Sequence, residues 1–162
     1  MKKTWAEKMA DKKNFPKILN LEAKFPCYKS LVKMGARVGD RVVLANPSEV
    51  REIMAGVRRG ELITIREICL RLAREHGVDA CCTLTTGIFI ITAAHAAAEA
   101  QAAGAPLTFP YWRTLKVDGV LNEKFPGGIE AQKKLLVAEG HLVVGKSRKL
   151  RVADYQQFLG KI

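Results

Sequence analysis

The chain has 162 residues, a length that suits one domain with a hydrophobic core, and it carries a formal net charge of +11. It lacks a long apolar run and a secretory signal, which excludes a membrane protein and favours a cytoplasmic one. The four cysteines form no CxxC pair and the three histidines lack metal-ligand spacing, so neither a metal nor a cofactor is expected.

The excess positive charge lies at the two ends of the chain. Residues 1–37 contain ten Lys and Arg against three Asp and Glu, and residues 145–162 contain five against one. Residues 38–144 contain twelve of each and are neutral. Basic ends around a neutral centre suit a polyanionic partner such as nucleic acid. The alternative is that the lysine-rich ends only keep the protein soluble.

The first half of the chain predicts two short strands and two amphipathic helices. Residues 5–9 suit a short helix, and residues 17–21 and 40–45 read as extended. Residues 46–60 form a helical pattern that ends at Gly60, with apolar side chains at the spacing of one helix face: Val50, Ile53, Met54 and Val57.

The next helix is predicted over residues 63–77. Thr64 and Glu67 form a capping-box pattern, and Gly77 suits the left-handed end of the helix. Its apolar stripe consists of Ile65, Ile68, Cys69 and Leu72.

The second half predicts a third helix, a hairpin and a fourth helix. The stretch from Gly87 to Ala100 is apolar nearly all round, so this third helix should be buried. Residues 114–117 resemble a strand that turns at Asp118-Gly119, a hairpin signal. A helix over 127–140 and a closing strand over 141–144 follow.

Three helices followed by a hairpin predict a mainly α fold with a small β-hairpin, the pattern of a winged helix-turn-helix domain. In such a domain the third helix presents its first turn to DNA. Short hydroxyls and free N–H groups at that end suit phosphate contacts, and the chain offers Thr83, Thr85 and Thr86 there. The alternative is that these threonines only cap the helix.

Several stretches resemble one known family. "GELITIREIC" (60–69), "PYWR" (110–113), "FPGG" (125–128) and "LLVAEG" (135–140) occur in the order of the corresponding motifs of the O6-alkylguanine-DNA alkyltransferases. The chain is still more similar to their non-enzymatic relatives, the alkyltransferase-like proteins. The resemblance implies a winged-helix domain over 46–145, a basic N-terminal extension (1–45) and a basic C-terminal tail (146–162).

The departures from the family pattern concern its chemistry. Tyr111 stands where the alkyl-accepting cysteine belongs, and Trp112 stands where its activating histidine belongs. Since alkyl transfer needs a thiolate and a base to form it, the resemblance implies a protein that is not an enzyme. Glu139 matches the glutamate that orients the histidine, and the sequence leaves it nothing to orient.

The resemblance also implies which residues bind DNA. Tyr111 and Trp112, with Phe125 opposite, would line a pocket for a flipped base; the alternative is that the first two simply fill it. Ile65 and Leu84 stand where the family has its nucleotide-flipping tyrosine and its space-filling arginine. Contacts to DNA are expected from Thr64, Arg66, Thr83, Thr85, Thr86 and Arg113.

Three functions follow from these observations. The first is a non-enzymatic protein that binds double-stranded DNA and recognises alkylated or flipped bases in DNA repair. The second is a scaffold protein that has kept the fold, has lost DNA binding and binds a protein partner. The third is an enzyme that uses Cys81 or Cys82 at the start of the third helix, where the helix end would lower a thiol pKa.

Overall fold

The computed structural model describes residues 1–11 and 14–161, and most of its regular structure is helical. The helices are α1 (Trp5–Ala10), α2 (Tyr28–Lys33), α3 (Pro47–Ala55), α4 (Ile65–His76), α5 (Thr83–Ala102) and α6 (Gly128–Ala138). The strands are β1 (Lys17–Asn20), β2 (Arg41–Leu44), β3 (Ile63–Thr64), β4 (Ala80–Cys81), β5 (Thr114–Leu115), β6 (Val143–Val144) and β7 (Arg151–Val152). The predicted mainly α class is therefore confirmed.

Local capping signals fix where α3 and α4 begin. Asn46 and Glu49 form a reciprocal capping box at the start of α3, and Thr64 and Glu67 form another at the start of α4. The second box is the one that the sequence predicts, and α4 ends as predicted at Gly77, whose φ of 63° is left-handed. Helix α3 ends at Ala55, earlier than the predicted Gly60.

Helix α5 is the centre of the core, and α1, α3, α4 and the turn after Pro110 all pack against it. Its inner side chains are small or branched, and Ile90, Ala93 and Ala94 are at most 3% exposed. The neighbouring helices cover the middle of this helix from several sides, whereas its large exposed apolar side chains, Leu84 and Ile88, lie in its first two turns.

The predicted hairpin at Asp118-Gly119 is wrong. Strand β5 pairs in parallel with β3, and the residues after the turn do not return along it. The turn is closed by the bond from the Lys116 N–H to the Val120 carbonyl, 2.8 Å, and Val120 then forms a bridge with Arg151. Asp118 has a φ of 64°, a conformation that suits an isolated turn as well as a hairpin.

The described part of the N-terminal segment, residues 1–11 and 14–45, packs on the rest of the chain. Strands β1, β2 and β4 form one sheet, antiparallel between β1 and β2 and parallel between β2 and β4. Helix α1 lies along α5, where the ring of Trp5 stacks on His95 with centroids 4.5 Å apart. The Glu99 carboxylate accepts hydrogen bonds from the backbone N–H groups of Trp5 and Ala6 at 3.1 and 3.2 Å.

The C-terminal segment also packs on the domain. Strand β7 pairs with β6, and Leu62 exchanges backbone hydrogen bonds with Phe158 and Gly160. The ring of Tyr155 packs directly against the α-carbon of Gly119. A Cβ atom added to this glycine would lie only 2.5 Å from Tyr155 Cδ1. This contact holds the turn at Gly119 against the tail.

Candidate nucleic-acid interface

The aromatic residues of the predicted base pocket form a closed cluster. Tyr111 and Trp112 lie in the 3-10 turn Tyr111–Arg113, and with Phe125 they are 5%, 9% and 2% exposed. The Tyr111 ring meets the Trp112 and Phe125 rings edge to face, with centroids 5.6 and 5.5 Å apart. We call these three residues the aromatic trio. Its rings pack against one another, so the conformation offers no free aromatic face on which a base could stack.

Arg113 is held inside the protein by two partners. Its guanidinium donates to both carboxylate oxygens of Glu139, with the shortest distance 2.7 Å, and to the Val57 carbonyl at 2.7 Å. The two charged side chains are 13% and 4% exposed. In this conformation Arg113 has little surface left for the DNA contact that the sequence predicts.

Glu139 therefore has a partner that the sequence did not suggest. Burial alone would raise the pKa of its carboxyl group. The hydrogen bonds from Arg113 and the positive charges of Arg113 and Arg59 outweigh that effect, and they hold the pKa of Glu139 below its usual value. The carboxylate that orients a histidine in the resembled family orients an arginine here.

The other predicted DNA contacts divide into exposed and buried residues. Arg66 is exposed, and Thr83 and Thr85 are half-buried near the start of α5. Thr64 and Thr86 are 2% and 1% exposed. The Thr64 hydroxyl accepts from the Arg66 N–H at 3.2 Å as the cap of α4, and the Thr86 hydroxyl lies 3.3 Å from Cys81 Sγ. These two threonines therefore serve the fold in this conformation.

An open groove lies beside the aromatic trio, at the start of α5. Its volume is about 400 Å³. One wall comes from Ile65 of α4, another from α5, a third from the segment between Leu115 and Lys124, and the last from Ser30 of α2. The apolar lining residues are Ile65, Ile90, Ile91, Leu115, Val117 and Val120. We call this space the groove.

Three apolar side chains on the segments that line the groove are exposed to water. Leu84 and Ile88 lie one helical turn apart on α5 and are 49% and 52% exposed, and Val117 is 49% exposed. Of the two positions that depart from the family pattern, Ile65 lines the groove and Leu84 follows the lining residue Thr83. Exposed apolar side chains on the segments around a groove are candidates for a binding surface.

The polar rim of the groove is mostly basic. Lys116, Lys124 and Glu123 all line it, and Lys116 Nζ lies 3.2 Å from a carboxylate oxygen of Glu123. A bond from its own backbone N–H and the nearby Lys116 lower the pKa of Glu123. Sequence reasoning missed these three residues: it assigned Lys116 to a strand of the predicted hairpin, and it gave Glu123 and Lys124, which follow the turn, no role.

The two cysteines considered as nucleophiles are enclosed. Cys81 and Cys82 are 1% and 5% exposed. A hydrogen bond from the Cys69 thiol lowers the pKa of Cys81, while burial opposes the shift. Burial raises the pKa of Cys27, which lies beside Cys82, to about 12. Since a thiol must meet its substrate to react, the position of these sulfurs does not suit a nucleophile.

Residues 1–11 and 14–161 contain neither a metal cluster nor a membrane span. In that part of the chain, no group of three or more His, Cys, Asp or Glu is arranged to hold a metal ion. Over the same residues, no helix is both long and apolar enough to span a membrane.

Comparison with known proteins finds a distant structural likeness. No protein-family model matches the chain, and no curated protein matches its sequence. Among solved structures, the chain is similar to S. pombe Atl1 in complex with damaged DNA containing O6-carboxymethylguanine. The TM-score is 0.49 and the sequence identity 18%, over 72% of this chain and 94% of that one. At this level the likeness assigns no function, so the function proposed below rests on the residues of this chain.

Proposed function

We propose that this chain is a non-enzymatic DNA-binding protein of the alkyltransferase-like kind, which holds an alkylated or flipped base of double-stranded DNA without reacting with it. The observation that carries the proposal is the groove at the start of α5. Its apolar walls, including Ile65, Ile90 and Leu115, suit the faces of a base. The lysines on its rim, Lys116 and Lys124, suit the phosphates on either side of that base.

The residues beside the groove support binding without chemistry. Tyr111 replaces the alkyl-accepting thiol of the resembled family, and burial raises the pKa of its phenol. Trp112 replaces the base that would activate a thiol, and an indole takes up no proton at neutral pH. A base held in the groove would therefore meet no activated nucleophile.

The exposed side chains of α5 supply a means to hold a base out of the stack. Turning a base out of a duplex costs a few kcal/mol of stacking and pairing, roughly. Apolar side chains such as leucine and isoleucine can offset that cost by wedging between base steps. Leu84 and Ile88, about half exposed beside the groove, would act in this way in place of the family arginine.

A binding titration tests the proposal. Fluorescence anisotropy with a plain duplex and the same duplex carrying one O6-methylguanine should show binding that weakens steeply as salt increases, because lysine contacts release counterions. The modified duplex should bind more tightly. Val117→Trp, which fills the groove, should remove the difference between the two duplexes and leave binding to plain duplex.

The matched control is Val137→Trp on α6, because Val137 is exposed to the same degree, 51%, and does not line the groove. It should retain the preference for the modified duplex. Equal binding of both duplexes by the wild-type protein would contradict recognition of alkylated bases. Intact mass should not increase after incubation with the modified duplex, and an added alkyl group would contradict the absence of catalysis.

A second candidate function is a protein-binding scaffold. The exposed apolar surface of Leu84, Ile88 and Val117 favours it, because such a surface also suits a protein partner. The internal pairing of Arg113 with Glu139 favours it too, since it removes one cation from the DNA contacts. This function predicts no binding to either duplex at moderate salt, so the same titration separates the two.

A further inference from the structure

The N-terminal segment contributes to the same face as the groove. Ser30 of α2 lines the groove together with Thr83 of α5, although 53 positions separate the two residues in the chain. The resembled family motifs begin only after residue 45, so α2 is an element that the resemblance does not cover. What this helix adds follows from its position.

Helix α2 is fixed against the start of α5 by a small apolar cluster. Leu31 on its inner side is fully buried, and Cys27 at its N-terminal end is 5% exposed. Both pack in one cluster with Leu21, Val42 and Cys82. Cys82 is the N-cap of α5. Burial of these two side chains against the first residues of α5 keeps the short helix in place.

The outer side of α2 is basic. At about 100° per residue, Lys33 and Lys29 follow Ser30 around the helix on the side away from Leu31. Both lysines are exposed, and neither has a salt-bridge partner among the ion pairs of the described residues. Both charges therefore stand on the helix that contributes Ser30 to the groove wall.

We propose that α2 is a second phosphate-binding wall of the DNA face, in which Lys29 and Lys33 contact the duplex backbone across the groove from Lys116 and Lys124. The inference rests on the proposed DNA-binding function and assigns a role to the N-terminal segment. The partner is the phosphate backbone, because exposed ammonium groups on the elements that line an apolar groove complement a polyanion whose bases face the groove. Phosphate contacts position the duplex and carry no information about the base.

A salt series on a charge-neutralised variant tests the proposal. Lys29→Gln/Lys33→Gln should bind plain duplex more weakly, and the slope of log K against log salt concentration should become shallower by about 2, roughly one for each phosphate that the variant no longer neutralises. The weakening should be the same factor for plain and O6-methylguanine duplex. Because both side chains are exposed, the melting temperature should not change.

Two controls separate a local contact from a general effect of charge. Lys133→Gln/Lys134→Gln on α6 removes the same charge from residues that do not line the groove, and it should keep the wild-type slope. Lys29→Arg/Lys33→Arg keeps the charge and should also keep the slope. If Lys29→Gln/Lys33→Gln has the same salt slope as the α6 control, the proposal that α2 binds phosphates is wrong, while the proposed DNA binding is unaffected. If the wild-type protein binds neither duplex, both proposals fail.

Discussion

The segment from Pro110 to Phe125 occupies two contrasting environments. Its first part, together with Phe125, is buried: Tyr111, Trp112 and Leu115 are at most 9% exposed. In its middle part, Lys116, Val117, Glu123 and Lys124 are exposed and line the groove, while Leu121 between them is fully buried. The resemblance locates a reactive pocket in the first part, where this chain has core packing. The groove lies next to it, so the open space of this chain and the position of the resembled reactive pocket fall on different residues of one short segment.

The largest effect should come from truncating the aromatic trio. Trp112→Ala removes a buried ring that contacts Tyr111, and it should lower the free energy of unfolding by about 3–5 kcal/mol. Val117→Ala, in the open part of the same segment, should change it by less than about 0.5 kcal/mol. Urea unfolding measures both. A loss below about 1 kcal/mol for Trp112→Ala would mean that the trio is an open pocket and not core.

The second-largest effect should come from the ion pairs of this region, which should differ in how much each stabilises the fold. Glu139→Gln leaves the buried Arg113 charge without its carboxylate and should cost about 3 kcal/mol. Glu123→Gln breaks the pair with Lys116. Because the side chains of Lys116 and Glu123 are 46% and 41% exposed, this change should cost at most about 1 kcal/mol. Equal losses in urea unfolding would show that the Arg113 pair is as solvated as the rim pair.

The pH dependence of the Arg113 pair has a defined sign. The folded pKa of Glu139 lies below its unfolded value, so its contribution to stability is present above the unfolded pKa, near 4.3. That contribution should disappear as pH falls through the folded pKa. In Glu139→Gln, the free energy of unfolding should depend less on pH below about 4.3. If this pH dependence is unchanged, the stability lost at acid pH comes from other carboxylates.

The smallest effect should come from His141, which lies near the same pair. Burial lowers the pKa of its ring; the charge of Glu139 opposes the shift, and that of Arg113 adds to it. As pH falls, the imidazole of His141 is therefore protonated at a higher pH in the unfolded chain than in the folded protein. The free energy of unfolding should fall as pH drops below about 6.5 and stay level above it. His141→Phe keeps a ring against Phe158 and should reduce the loss of stability between about pH 7 and 5.5. An identical loss in both proteins would contradict this.

Local signals explain which parts of the fold were predictable. The capping box of Thr64 and Glu67 and the left-handed Gly77 are set by neighbouring residues, so the sequence predicts α4 closely. The turn at Asp118-Gly119 is also predicted, but its hairpin does not form. A turn of that composition fixes the local backbone, whereas strand pairing depends on distant residues, and Thr114 pairs with Ile63.

The candidate site was less predictable for the same physical reason. Its position near the start of the third helix follows from the sequence, as does the absence of a thiol at position 111. The walls of the groove come from four separated segments, and the contribution of Ser30 depends on buried contacts between α2 and α5. The pairing of Arg113 with Glu139 joins residues 26 positions apart, and no periodic pattern reports such a contact.

The contact between Tyr155 and Gly119 gives the C-terminal residues an influence on a surface that they do not line. Val117 and Val120, on either side of that glycine, form part of the groove wall. We expect a smaller side chain at position 155 to give this turn room to shift and so to change the shape of the groove, although residue 155 does not line it.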